Sequence, residues 1–245
     1  MMDLDSNNST KNISAPHYRI TQGVGVPIVL LHGWGGSMMS WASLEQRLID
    51  VGHTVVVVDF AGFGMTPEPP INWGIYEYAQ SIKVLLDELG CDKYNLIGHS
   101  FGGRVCLILG NDKRINNIIL SNAAGIKPRR GIKYYAKIWS YKFKKKLEIS
   151  TSKAGSADYR ALSTTMQAVF VKIVNQHLQS HLNSIKANTL IVWGDKDKTT
   201  PLYMAKKLNK GIKGSGLIVL KNAGHYSYME HGDKFFAIVE SFFGD

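Results

Sequence analysis

Six short apolar runs punctuate the chain: Ile28–Leu31, Thr54–Val58, Tyr94–Ile97, Asn117–Leu120, Leu190–Trp193 and Leu217–Leu220. They are rich in Val, Ile and Leu without polar alternation, the pattern of strands buried on both faces. Between the second and third, Ile75, Tyr78, Ala79, Ile82, Leu85, Leu86 and Leu89 fall at helical spacing. Phe101–Gly110 reads as a buried helix after the third run. Pro201–Leu208 and Asp233–Phe243 read as helices after the fifth and sixth. Strands alternating with helices predict an α/β fold, with a mostly parallel central sheet and helices on both faces.

The alternation stops between the fourth and fifth runs. There, Ile132, Tyr135, Trp139, Phe143 and Leu147 form one helical stripe, and Met166, Val169, Phe170, Ile173 and Val174 form another. An all-helical insertion over 126–186 is expected to act as a lid on a core made of 17–125 and 187–245. Residues 1–16 are polar without an apolar stretch, and read as a flexible arm rather than a secretory signal.

Composition is that of an ordinary globular protein, 44% apolar and 20% charged. Cys91 and Cys106 belong to no CxxC pair, so redox and zinc roles are not expected, and a reducing, cytoplasmic setting is the simplest reading. The net charge of +10 is concentrated: nine Lys/Arg and one acid, Glu148, lie between Ile126 and Ser150. This run, with its lysines at 127–146, has three readings. It is a solvated face, it steers anionic substrates such as carboxylates or acyl-CoA thioesters, or it rests weakly on an anionic membrane surface. No stacking or groove-reading motif accompanies it, so no nucleic-acid partner is expected.

The chemistry sits at strand ends. Gly98-His99-Ser100-Phe101-Gly102 is Gly-x-Ser-x-Gly between a strand and a helix. Such a turn lifts the serine hydroxyl out of the sheet and sets it at a helix N-terminus, where a developing anion is favoured. A serine needs a base, and His225 follows the sixth run by a short loop. The base needs an acid to fix its tautomer. Asp197 lies far enough into the loop after the fifth run to reach it, while Asp195 braces the turn. Ser121-Asn122-Ala123, after the fourth run, offers no carboxylate. His177 and His181 are four apart, but Leu178 stands where a zinc protease needs glutamate, so no metal is expected.

The order Ser100, Asp197, His225, the elbow, and the loop His32-Gly33-Trp34-Gly35-Gly36 resemble the α/β-hydrolase family, in its serine hydrolase branch with a helical lid. The resemblance covers about Tyr18 to the C-terminus and is weakest in the lid. It implies that the backbone N–H groups of Trp34 and Phe101 bind a tetrahedral oxyanion, and that His32 braces the loop. It also implies a serine hydrolase cleaving a carboxylic ester through an acyl-enzyme, without cofactor. Candidate pocket residues are Trp34, His99, Tyr135, Trp139, Phe170 and Tyr226. Alternatives on the same framework are a thioesterase, a C–C bond hydrolase on an anionic substrate, or a slow-turnover ligand-binding module. The substrate expected is a small acyl compound; its identity, like the oligomeric state, is not written in these residues.

Overall fold

The computed structural model describes residues 13–129 and 157–244. In chain order the strands are β1 (Tyr18–Thr21), β2 (Val24–Leu31), β3 (His53–Val58), β4 (Tyr94–His99), β5 (Ile115–Ser121), β6 (Asn188–Gly194) and β7 (Gly216–Leu220). The described helices are α1 (Ala42–Asp50), α2 (Ile75–Leu89), α3 (Phe101–Leu109), α4 (Ala157–Ala161), α5 (Thr164–Asn175), α6 (Tyr203–Gly211), α7 (Ser227–Glu230) and α8 (Gly232–Phe243). The strands form one sheet in the order β1-β3-β2-β4-β5-β6-β7. Among the described strands only β1 runs antiparallel, paired with β3.

The continuous apolar runs follow from this architecture. Side chains alternate across a strand, and here both faces are covered. Val29 and Leu31 join the core beneath α2 and α3, with Tyr78, Ile82 and Val105. Ile28 and Leu30 join the opposite core, with Leu44, Leu48, Phe235 and Val239 from α1 and α8. The expected α/β class therefore holds. Among the elements that escaped the pattern are β1 and α1. The edge strand β1 is only four residues long, half-exposed, and mixed in polarity. Helix α1 buries Leu44, Glu45 and Leu48, a narrow stripe among polar residues.

Helices α4 and α5 lie between β5 and β6, where a helical insertion was expected. Residues 130–156, with Tyr135, Trp139 and most of the lysine run, lie outside the described residues. Residues 13–16 have no regular structure, and Pro16 is buried. No helix among the described residues is long and apolar enough to cross a membrane.

Because the central strands are parallel, His32, Ser100, Asn122, Asp197 and His225 all follow strand C-termini and gather at one edge of the sheet. Close approach of α3 to β2 fixes that edge. A Cβ on Gly102 would stand 2.1 Å from the Leu31 carbonyl oxygen, which cannot swing away as a side chain could. Gly102→Ala should thus cost ~1–3 kcal/mol or more of stability, as overpacking does. Gly232, at the start of α8, has nothing within 4 Å of the same position. Gly232→Ala should be neutral or stabilising by up to ~1 kcal/mol. Urea unfolding of the two variants checks the contrast; equal losses would contradict it.

Candidate active site

Ser100 sits between β4 and α3 at φ 49° and ψ −104°. This is a left-handed, sparsely populated conformation for a residue with a Cβ, and it costs ~1–3 kcal/mol unless the surroundings impose it. They do so with backbone hydrogen bonds. The Ser100 N–H donates to the Ser121 carbonyl (3.1 Å), and its own carbonyl accepts from the Ala124 N–H (2.9 Å). Next along, the Gly102 N–H donates to the His32 carbonyl (3.0 Å). The loops after β2, β4 and β5 are thereby tied to one another at the serine.

Asp197 and His225 meet across the edge. His225 Nδ1 and Asp197 Oδ2 are 2.8 Å apart. The carboxylate is buried and heavily solvated by protein groups. Its Oδ1 accepts from the Thr199 N–H (2.7 Å) and the Thr200 N–H (2.9 Å). Its Oδ2 accepts from Asn122 Nδ2 (2.6 Å) and the Thr200 hydroxyl (2.6 Å). Burial alone would raise its pKa. The hydrogen bonds from His225, Thr200 and Asn122 overcome this and hold it at about 2. Asn122 is itself fixed: its Oδ1 accepts from the Ser227 hydroxyl (2.5 Å), and its Nδ2 also donates to the Gly224 carbonyl (3.2 Å). Asp195 points elsewhere, accepting from the Asn222 N–H at 2.7 Å.

Two more histidines brace the edge and stay neutral. His32 Nδ1 donates to the Gly33 carbonyl (2.7 Å), and its Nε2 accepts from the Phe60 N–H (3.0 Å). Burial lowers its pKa to about 4. His99 Nε2 donates to the His225 carbonyl at 3.0 Å. Burial, and then the neighbouring His225, lower the His99 pKa to about 3. Protonating either ring would place a charge where water cannot solvate it.

A cavity of about 470 Å³ opens at the elbow, lined by Ser100, His225, Trp34, Phe101, Phe170 and Tyr226 among others. Neither Trp34 N–H nor Phe101 N–H donates a hydrogen bond among the described residues. Phe101 opens α3, where N–H groups have no partner within the helix. Trp34 lies inside the turn closed by the Gly36 N–H to the Gly33 carbonyl, 3.0 Å. The Trp34 ring packs on Phe63, Phe101 and Phe170, with centroids 4.9, 5.4 and 5.2 Å away. Phe170, Ile173 and Val174 bring α5 over the cavity.

Of the candidate pocket residues, His99 does not line this cavity. It is 2% exposed, supports His225 from below, and lines an adjoining space of about 830 Å³ with Gly33, Tyr159 and Tyr228. The reason is its position: it is the last residue of β4, so its side chain packs beside the sheet while that of the next residue rises above it. Trp34, Phe170 and Tyr226 line both spaces and separate them. His181 Nε2 lies 2.9 Å from the Tyr76 hydroxyl. Among the described residues no three His, Cys, Asp or Glu side chains cluster to hold a metal ion.

Sequence reasoning missed Asn122 and Thr200, the donors to Asp197, and Arg104, which lines the Ser100 cavity. For Arg104 a signal existed: it is the one charged residue in the apolar stretch of α3. For the other two, the partnership arises only when the loops after β5 and β6 meet.

The chain matches the family described as alpha/beta hydrolase fold over residues 26–146 and 130–232. Among curated relatives, a 2-hydroxy-6-oxononadienedioate/2-hydroxy-6-oxononatrienedioate hydrolase of Escherichia coli K12 is 28% identical over 248 aligned positions, covering 88% of this chain and 86% of its own. Among solved structures, an esterase from Exiguobacterium antarcticum superposes with a TM-score of 0.76 at 24% identity, covering 94% of this chain and 95% of its own. An enol-lactonase from Burkholderia xenovorans LB400 superposes with a TM-score of 0.73 at 21% identity, covering 94% and 96%. At these identities the two structures speak to the fold. The family match spans most of the chain, and with the elbow, the parallel sheet and the helical segment between β5 and β6 it places this protein in the alpha/beta hydrolase fold family.

Proposed function

We propose that this alpha/beta hydrolase is a serine hydrolase that cleaves a carboxylic ester through an acyl-enzyme on Ser100. The observation that carries the reading is the 2.8 Å contact of Asp197 with His225, on the cavity that Ser100 lines. Asp197 holds the Nδ1–H tautomer of His225, leaving Nε2 free to accept a proton. Attack of Ser100 Oγ on the ester carbonyl transfers the hydroxyl proton to Nε2. The Trp34 and Phe101 N–H groups receive the oxyanion. The imidazolium then protonates the departing alkoxide, and water, activated by the same nitrogen, hydrolyses the acyl-enzyme. No hydrogen bond joins Ser100 Oγ to His225 among the described residues. Such contacts often tighten only when substrate is in place.

A second reading draws on the E. coli relative, whose name specifies a dioate. An anionic C–C bond substrate would use the same base and oxyanion donors. Thioester cleavage would use them too. A slow-turnover binding module would keep the cavity without accumulating an acyl-enzyme.

Ser100→Ala should lower kcat on 4-nitrophenyl esters by at least about 10³-fold. Ser100→Gly should be equally inactive yet more stable by ~1 kcal/mol, since glycine relieves the left-handed strain. Steady-state kinetics and urea melts check both; full ester turnover by Ser100→Ala would end the proposal.

Asp197→Asn should lower kcat by roughly 10³–10⁴-fold, because an amide can present Nδ2–H to the imidazole and favour the wrong tautomer. In the wild type, Asp197 stays ionised well below neutrality, with its pKa at about 2. Its depressed value means that the stability it contributes is complete above the ordinary carboxylate range and is lost as pH falls through about 2. Protonation of Asp197 should therefore not contribute to the acid limb of kcat/KM above pH ~4, which should be no steeper than first order. A slope of two in that range would mean that the Asp197 carboxylate is titrating there.

A further inference from the structure

Arg104 is buried, 8% exposed, in a helix otherwise apolar. It follows Ser100 by one turn, its N–H donating to the Ser100 carbonyl at 3.3 Å. Both side chains line the same cavity. Nη1 of Arg104 donates to the Ile173 carbonyl (3.1 Å) and the Gln176 carbonyl (2.7 Å), at the C-terminal end of α5. That is a helix-capping role, and the negative end of α5 offsets part of the charge. It occupies one nitrogen of three. Nε and Nη2 make no hydrogen bond among the described residues, and no described carboxylate forms an ion pair with this guanidinium. Neither nitrogen is fully buried without a partner, and Arg104 lines the cavity. Burial lowers the guanidinium pKa to about 10, which leaves it charged at neutral pH.

A buried cation with no counter-ion is costly unless something completes it. The free Nε–Nη2 edge is the side of the fork that takes a carboxylate through two parallel hydrogen bonds. Much of the remaining wall is apolar, with Ile126, Phe170, Val174 and Met204, beside the polar Thr199, Thr200 and Tyr226. Ser100 immediately precedes α3 and Arg104 is the fourth residue of that helix, so both belong to the end of α3 that faces the cavity. We infer that Arg104 is a specificity residue, and that the cavity takes an acyl group ending in a carboxylate, as in the half-ester of a short dicarboxylic acid. This rests on the ester-hydrolase reading, with Ser100 attacking the ester carbonyl while Arg104 holds the far carboxylate, which stays unreacted.

The test compares mono-4-nitrophenyl glutarate with 4-nitrophenyl pentanoate, similar in chain length and differing in the terminal charge. Wild-type kcat/KM should favour the glutarate by roughly 10–100-fold, the range of charge-assisted hydrogen bonds. In Arg104→Met that ratio should collapse towards one, whatever happens to the absolute rates through loss of the α5 cap. Arg104→Lys should restore part of it. A binding arm needs neither turnover nor an Arg104 variant: glutarate should raise the Tm of Ser100→Ala saturably, and pentanamide or equal ionic strength of sodium chloride should not. A wild-type ratio near one, a ratio unchanged in Arg104→Met, or no glutarate-specific shift would overturn the inference and leave ester hydrolysis standing. Failure of both esters to turn over, with the glutarate shift intact, would sink the hydrolase reading and keep the carboxylate site.

Discussion

The turn at Ser100 cannot relax. Its neighbours above and below are backbone: the Ser121 carbonyl accepts from its N–H, and the Ala124 N–H donates to its carbonyl. Gly102, two residues on, is pressed so close to the end of β2 that no Cβ fits. These contacts join three successive strand ends, and they hold a non-glycine residue at φ 49°. The strain fixes where the hydroxyl stands and aims the start of α3 at the same space. Helix α5, His225 and Asp197 are arranged around that point. Glycines at 98, 102 and 103 are the sequence cost of bringing helix and sheet this near, since a Cβ at each would meet atoms within 2.7 Å.

Around the serine the protein sorts its charges. His32 and His99 are buried and held neutral, so neither opposes a positive charge on His225. This matters most for His99, whose ring centroid is 4.8 Å from that of His225. Asp197 is the reverse case: its hydrogen bonds favour the ionised form despite burial. A fixed anion on Nδ1 and a neutral ring behind are what the proposed base role of His225, with its transient imidazolium, would require. Arg104 introduces a second fixed charge on the same cavity, and only one of its nitrogens is committed to protein carbonyls.

What the sequence disclosed was set by periodicity and by glycine. The inner strands were legible because burial on both faces leaves no polar alternation, as at Ile28–Leu31 and Leu190–Trp193. Ser100 was legible because the elbow needs small neighbours in fixed places. Asp197 and His225 could be located from their strand ends. The strand β1 was not legible, because a four-residue half-exposed edge carries little pattern. Asn122 was passed over as a residue lacking a carboxylate, although its amide reaches Asp197 at 2.6 Å. No local signal pairs residues 75 positions apart; the parallel sheet does so by placing the ends of β5 and β6 side by side. His99 lines the adjoining space and not the Ser100 cavity for a related reason. Adjacent residues at a strand end face opposite ways, and the sequence gives no sign of which one turns upward.

The most direct test of the account is covalent. Incubation with a fluorophosphonate should add one phosphonyl group per chain, lost in Ser100→Ala and slowed greatly in His225→Ala, with peptide mapping placing the adduct on Ser100. A folded wild-type protein that takes up no label, or carries it on another residue while Ser100 stays unmodified, would contradict the claim that this strained serine is an activated nucleophile.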